Sequence, residues 1–509
     1  MTVHKLFGPP GTGKTRTLTA EGQRLITQTG PHRFAAVTFT RTAAAELRER
    51  LILSLGFGPG PTDAWARRRW LNERLPWVGT IHSIALKLIG PRRVLSARDL
   101  TRFIRDQGGH PTLDENESPE DAEGYLWDAP GRDEVEAALA VYSMSRHRMI
   151  ELAQAYAEAQ WGYRGPPLGP TQVMHLVRAY EDFKHDLGKL DFEDMLEQGM
   201  GMELPIDVLL ADEVQDNSPL LWSVLDRWGA DKLAGLAGDP YQALYIWSGA
   251  DPALFIDHPG TLHRLGNSHR LTQAAADRAQ TVLREAGYTE GEWLGTWTGK
   301  ASGERKDGTT FWLARTGRLL QQVRRDLEDA GTPYAYIRGG GPLATKESDA
   351  FRVLQRLRTR GSVEAGGLAL LAQHNTRVEK AHAKRLEAIA RSSPDEQMGI
   401  GEAEAQLGHS LAGLEWGFGR AQYLNRVLAQ HGTEAFRYPP KTLIGTIHSA
   451  KGREADEVNL VDSWGTLPAR ALDDPAGRRA EACVAYVGLT RHRARLNLVP
   501  ADEGVPYPF

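Results

Sequence analysis

At 509 residues the chain exceeds one ordinary domain, and its 41% apolar and 25% charged content is that of a globular protein with ample core. A net charge of −4 excludes a globally basic nucleic-acid binder, so any such surface is local. The single cysteine, Cys483, excludes an intrachain disulfide or thiolate metal cluster and reads as a small buried packing residue in a reducing cytosol. No apolar run reaches ~18 residues, so no membrane partner is expected. A phosphate-loop motif begins too close to the amino terminus to leave room for a signal peptide, and the expected location is cytoplasmic.

In chain order, Val3–Phe7 predicts a strand and Lys14–Ile26 a helix. Between them stands Gly8-Pro9-Pro10-Gly11-Thr12-Gly13-Lys14-Thr15, a G-x-x-x-x-G-K-T loop. Such a turn points consecutive backbone N–H groups at phosphate oxygens, and the helix N-terminus adds partial positive charge. Lys14 then reaches the β- and γ-phosphates, and the Thr15 hydroxyl ligates Mg²⁺, so the chain is read as binding a nucleoside triphosphate. Strands are predicted at Phe34–Phe39 and Trp77–His82. Between these two, Trp65-Ala-Arg-Arg-Arg-Trp70 reads as an amphipathic helix with Arg outward and Trp packed inward. Its interleaved cations and aromatics also suit a nucleic-acid backbone and a stacked base. A mostly helical insertion follows, with Ala137–Ala159 as its clearest helix. The acid-rich stretch Asp114–Glu136 reads as a solvated face or a protein-docking surface.

The apolar strand Asp207–Ala211 runs into Asp212-Glu-Val-Gln-Asp216, where Asp212 is placed to hold the metal and Glu213 to orient or deprotonate the attacking water. Leu233–Gly238 predicts a strand ending in Gly238-Asp-Pro-Tyr-Gln242, with Gln242 facing the γ-phosphate. Tyr245 and Trp247 lie just beyond, where aromatic rings beside a switch element suit base stacking. A second set of strands is predicted at Thr309–Arg315, Tyr334–Arg338, Thr442–Thr446, Glu457–Val461 and Arg495–Val499, interrupted by an insertion over Thr345–Pro440. The pattern predicts an α/β protein with two parallel-sheet cores, each carrying a mainly helical insertion.

Further motifs stand in a fixed order: Val37-Thr-Phe-Thr-Arg-Thr-Ala-Ala-Ala-Glu-Leu-Arg48, Gly79-Thr-Ile-His-Ser83, Leu190-Asp-Phe-Glu-Asp-Met-Leu196, Leu265-Gly-Asn-Ser-His-Arg270, Gly445-Thr-Ile-His-Ser-Ala-Lys-Gly-Arg-Glu454 and Tyr486-Val-Gly-Leu-Thr-Arg491. Together with the phosphate loop and the acid box, this set strongly resembles superfamily 1A DNA helicases of the UvrD/Rep/PcrA type, across nearly the whole chain. The resemblance implies two RecA-like P-loop cores, the first being residues 1–82 with 206–258 and the second 259–345 with 440–509. Residues 83–205 and a reduced 346–439 would be their insertions.

It also implies an ATP-dependent helicase or single-strand translocase of 3′→5′ polarity, acting on single-stranded DNA and single/double-strand junctions, with replication or repair proteins as possible partners. Lys14, Thr15, Asp212, Glu213 and Gln242 would form the ATP and Mg²⁺ site. Arg270 and Arg491 would reach the γ-phosphate, Glu454 the ribose, and Arg16 with His269 would sandwich the adenine. Phe39, His82, Tyr245, Trp247 and His448 would line the DNA path, although the two histidines also admit a purely structural reading. A motor that displaces proteins with little unwinding, and an ATP-switched DNA- or replication-protein-binding module, are the alternatives. Departures from the family pattern include His269 in place of a tyrosine, Ser248 in place of an arginine, and the loss of an arginine pair around Ala482-Cys483. No glutamine stands ahead of the phosphate loop to read the adenine edge.

Overall fold

A computed structural model describes residues 2–90, 93–111, 134–159, 168–246, 249–289 and 297–507. Trp247, Ser248 and most of the acid-rich stretch therefore lie outside the described residues. The chain divides into two compact units, the first being Met1–His269 with Thr289–Gly299 and the second Arg270–Tyr288 with Lys300–Phe509.

Unit 1 is built on six parallel strands: β1 (Thr2–Phe7), β2 (Phe34–Thr38), β3 (Trp77–Thr80), β4 (Val208–Asp212), β5 (Leu233–Gly238) and β6 (Thr261–Arg264). Their order across the sheet is β3-β2-β4-β5-β1-β6. The five predicted strands are present, and β2 and β4 are buried at every position. Continuous apolar runs of this kind are what a parallel sheet covered by helices on both faces requires. The sixth strand, Thr-Leu-His-Arg, was not foreseen; it is a short edge strand with an exposed, polar face. Helices α1 (Lys14–Thr29), α2 (Arg41–Ser54), α3 (Ala64–Arg74), α4 (Ile81–Ile89) and α5 (Ala97–Asp106) follow in chain order.

The insertion of unit 1 is helical as expected, but Ala137–Ala159 is not one helix. It is split into Glu134–Arg148 and Leu152–Glu158, because Met149 adopts a left-handed backbone (φ 53°) that ends the first helix. Around it lies a buried polar network. The Lys184 ammonium donates to Asp191 at 2.6 Å and Asp194 at 2.7 Å, and Arg146 also reaches Asp194. His147 is paired with Ser218 at 2.9 Å, which ties this insertion to the segment that follows the acid box.

Unit 2 carries five parallel strands, in sheet order Tyr334–Tyr336, Thr442–Thr446, Thr310–Ala314, Ala455–Val461 and His492–Val499. Its insertion is not a separate body. Leu354, Leu371, Leu407 and Leu424 of the insertion share one apolar cluster with Ala314, Leu327, Tyr334, Ile444 and Val461 of the sheet layer. Tyr423 donates to the Thr332 carbonyl at 3.1 Å, and Arg426 to Asp329 at 2.8 Å. Cys483 is buried, as anticipated, with its thiol 3.4 Å from the Tyr288 hydroxyl. No helix among the described residues is long and apolar enough to cross a membrane.

A charged knot closes the edge of this sheet. Arg493 donates to Glu454 at 2.8 Å, to Asp307 at 3.0 Å and to Asp456 at 3.2 Å. Asp456 also accepts from the backbone N–H groups of Lys306, Asp307 and Gly308. Burial pushes the Glu454 carboxyl up, but Arg270 and Arg493 outweigh it and hold the group down at about 2. The Thr309 hydroxyl and Arg493 likewise lower Asp307. Carboxyls lowered in the folded state stabilise above their unfolded pKa of ~4, and that contribution fades as pH falls toward the folded value. Arg493→Gln is therefore expected to cost ~1–3 kcal/mol at neutral pH. In urea melts the deficit relative to wild type should shrink between about pH 4.5 and 2; a pH-independent deficit would assign Arg493 to packing alone.

Candidate functional site

Because all six strands of unit 1 run parallel, their C-terminal ends open on one edge, where ligands of such sheets bind. Register aligns them: Phe7 pairs with Gly238, and Thr38 pairs with both Asp212 and Thr80. The phosphate loop leaves β1 there, tied by the Gly8 N–H to the Gly238 carbonyl at 3.3 Å. Gly11 and Gly13 have φ of 77° and 90°, which only glycine adopts without strain. A Cβ on Gly8 would run into the Thr12 hydroxyl and the Lys14 side chain. Lys14 is buried, and its ammonium donates to the Gly8 carbonyl at 2.5 Å, inside the loop it is expected to share with phosphate.

Thr15 donates to Asp212 Oδ2 at 2.8 Å, so the predicted metal pair is assembled. Burial, with Glu213 next to it, pushes the Asp212 carboxyl up to about 6 against the pull of Lys14 and the Thr15 hydroxyl. A buried carboxylate and a hydroxyl, both hard oxygen donors and short of positive charge, fit Mg²⁺. Glu213 itself has φ of 57°, a conformation that costs a non-glycine residue ~1–3 kcal/mol and occurs where function over-determines the backbone.

The sequence reading missed Gln215. It is fully buried and donates through Nε2 to Glu213 at 2.6 Å and to Asp216 at 3.2 Å, while its Oε1 accepts the Asp239 N–H at 3.0 Å. Asp239 in turn accepts from Gln242 Nε2 at 2.7 Å. One continuous chain of hydrogen bonds thus runs from Glu213 to Gln242, across the ends of β4 and β5. The signal was present as the glutamine of Asp212-Glu-Val-Gln-Asp216, but nothing in one sequence distinguishes a buried amide from an exposed one.

Of the predicted DNA-path residues in unit 1, Phe39 and Tyr245 are brought together, with ring centroids 5.4 Å apart and planes 25° from parallel. His82 is buried, its ring edge-on to Phe192 at 6.3 Å. The repeated Gly-Thr-Ile-His-Ser spelling has a structural cause in each unit. Thr80 caps the Ser83 N–H and Ser83 returns its hydroxyl to the Thr80 carbonyl at 2.8 Å, while a Cβ on Gly79 would strike that hydroxyl. Thr446, Ser449 and Gly445 repeat the arrangement. The motif is thus a rigid turn that presents a histidine. His448 is half-buried, and burial with Arg315, Lys451 and Arg338 nearby lowers it to about 3, so it is neutral at physiological pH.

His269 is exposed, and its backbone N–H is bonded to the Gly11 carbonyl at 2.8 Å, while the buried Ser268 hydroxyl bonds Pro10. The segment carrying His269 is therefore fastened to the phosphate loop, whose helix also bears exposed Arg16. Within unit 2, Arg270 is engaged with Glu454 at 2.6 Å and the Thr490 carbonyl at 2.7 Å. Arg491 is buried and donates to the Val487 carbonyl at 2.9 Å. Both guanidiniums and Glu454 are thus occupied with one another or with their own helix end.

A phosphate loop, an acid bonded to its threonine from the end of a strand two places across the sheet, and a glutamine relay define a phosphate-loop NTPase site. The chain belongs to the UvrD/REP helicase family, whose N-terminal domain model matches residues 2–261. The ATP-dependent DNA helicase UvrD2 of Mycobacterium tuberculosis is 27% identical over 96% of this chain and 75% of its own length. A DNA helicase II homologue of Rickettsia felis is 23% identical over 98% of this chain and 90% of its own. The helicase YjcD of Bacillus subtilis is 24% identical over 54% of this chain, a match that takes in 35% of YjcD.

The relay makes a specific demand on Gln215. Gln215→Ala strands a charge-assisted bond and the Asp239 N–H, together ~1–3 kcal/mol or roughly 5- to 150-fold. The loss should fall on kcat of ATP hydrolysis and leave nucleotide affinity within a few-fold, as read by steady-state turnover beside equilibrium nucleotide binding.

Proposed function

We propose that this chain is a cytosolic motor that moves 3′→5′ along single-stranded DNA and unwinds duplex at single/double-strand junctions, at the expense of ATP. The observation that supports it most directly is the hydrogen-bonded chain from Glu213 through Gln215 and Asp239 to Gln242, which ends three residues from Tyr245 and its ring partner Phe39. A change of charge at the acid box moves the loop that holds Tyr245, and so changes the grip on a stacked base.

In this reading the backbone N–H groups of Gly11–Lys14 and the Lys14 ammonium bind the phosphates. Thr15 and Asp212 hold Mg²⁺, which when bound neutralises phosphate charge. Glu213 takes the proton of the attacking water, and Gln242 senses the γ-phosphate. Arg270 and Arg491 stabilise the charge of the transferred phosphoryl group after leaving their resting partners; arginine suits this because its planar fork matches phosphate oxygens. Glu454, released by Arg270 at one carboxylate oxygen and still held by Arg493 at the other, then offers the released oxygen to the ribose.

Unwinding of duplexes with a 3′ or a 5′ single-strand tail tests activity and polarity together. Wild type should open only the 3′-tailed duplex, and Glu213→Gln should lower DNA-stimulated turnover by ~10²–10⁴ while ATP still binds. Displacement of a bound protein without strand separation would favour the translocase alternative, and ATP-controlled DNA affinity without turnover the binding module.

Base recognition gives a second expectation. Arg16 and His269 offer two planar faces, and stacking does not separate adenine from guanine. Two absent hydrogen bonds correspond to ~1–3 kcal/mol, or roughly 5- to 150-fold in preference. GTP should therefore support DNA-stimulated hydrolysis within ~10-fold of ATP in kcat/KM; a preference above ~100-fold would show that another element reads the adenine edge.

A further inference from the structure

Helix α3 departs from the amphipathic expectation. Trp70 packs inward, with Arg74 over its ring at 4.4 Å, but Trp65 is 71% exposed. Asp63 caps the helix at its start, and Arg67 anchors its inner side through Glu49 and the Pro59 carbonyl. The helix is thus held in place with Trp65, Arg68 and Asn72 on one face, at i, i+3 and i+7. Asn72 accepts from the Lys87 ammonium at 3.2 Å, which continues the face onto α4. Arg48 of α2 donates to the Val78 carbonyl beneath it.

Arg48, Arg68 and Lys87 are close enough to repel one another. Burial, then Arg48 and Arg68, hold Lys87 down at about 8, and Arg48 is lowered by burial and by Arg68. Among the described residues no carboxylate forms an ion pair with any of the three. The Arg48 Nε is buried without a hydrogen-bond partner. Three cations without an ion-paired carboxylate, the nearby Glu49 being engaged by Arg67, and capped by an exposed indole, are chemically complementary to a strand that alternates phosphates with unstacked bases. The place also fits. His82 and Lys87 lie on the same helix, ~7.5 Å of rise and ~140° of rotation apart, so the patch flanks the helix that carries His82.

We propose that the outer face of α3 with Lys87 is an additional single-stranded DNA site, in which Trp65 stacks a base and Arg48, Arg68 and Lys87 contact the adjoining phosphates. It rests on the reading of the chain as a single-strand DNA motor and extends the strand path beyond Phe39, His82 and Tyr245.

The test uses the full chain and a fluorescein-labelled oligothymidylate, with affinity measured by anisotropy over a salt series. Trp65→Ala should weaken binding roughly five-fold or more, and Trp65→Phe should restore part of the loss, as stacking predicts. Arg68→Ala should lower the slope of log K against log[salt] by about 0.7, the value for one single-strand phosphate contact, and Arg68→Lys should keep it. ATP turnover without DNA should be unchanged in all four variants, since none of these side chains touches the nucleotide site. Wild-type binding with variants of equal affinity and salt slope would overturn this site while leaving the motor reading intact. Failure of wild type itself to bind the oligothymidylate would overturn the motor reading and this site together. A loss confined to a blunt duplex probe would overturn the single-strand assignment.

Discussion

The site of unit 1 depends on one constraint, the parallel alignment of β1, β4 and β5. A parallel ladder forces every C-terminal strand end to the same edge, and the register that pairs Phe7 with Gly238 sets the phosphate loop and the glutamine loop at one level. The acid box ends β4 beside them. From that alignment come the Thr15–Asp212 contact and the Gln215 bridge, neither of which tolerates a register slip. The price is a slow-forming, non-local sheet whose strands are separated in sequence by whole helices.

The second feature of the molecule is restraint. Lys14 is bonded inside its own loop, Arg270 to Glu454, and Arg491 to the end of its own helix. Each of these three cations, assigned to the phosphates of the nucleotide, already has an oxygen partner. Nucleotide thus competes with internal acceptors, which keeps desolvated charge from standing unpaired and makes the arginine contribution conditional. His448 follows the same logic from the other side: burial, and then the cations around it, keep it neutral, so it offers a ring without adding charge.

Much of this was legible in the chain. Strands β2 and β4 announce themselves because a strand buried on both faces must be apolar throughout, and β1, β3 and β5 because they run into motifs that follow from phosphate, metal and turn chemistry. Strand β6 was hidden because an edge strand with an exposed face carries no such run. The break at Met149 was hidden because no glycine or proline marks it. Gln215 and Trp65 were hidden for one reason: burial is a property of the fold, so a glutamine with no role in the sequence became the centre of a relay and an indole read as core became surface. The acid box, the phosphate loop and the Gly-Thr-Ile-His-Ser turns were readable because their chemistry is local.

The insertion of unit 2 carries a consequence for the way such a chain is shortened. Because Leu354, Leu371, Leu407 and Leu424 close over the same apolar layer as Tyr334 and Ile444, the segment serves as the lid of the sheet's hydrophobic interior. Excising it would leave one side of that interior facing water as a large exposed apolar patch. Here the appendage is grafted into its host, so that the two share one interior.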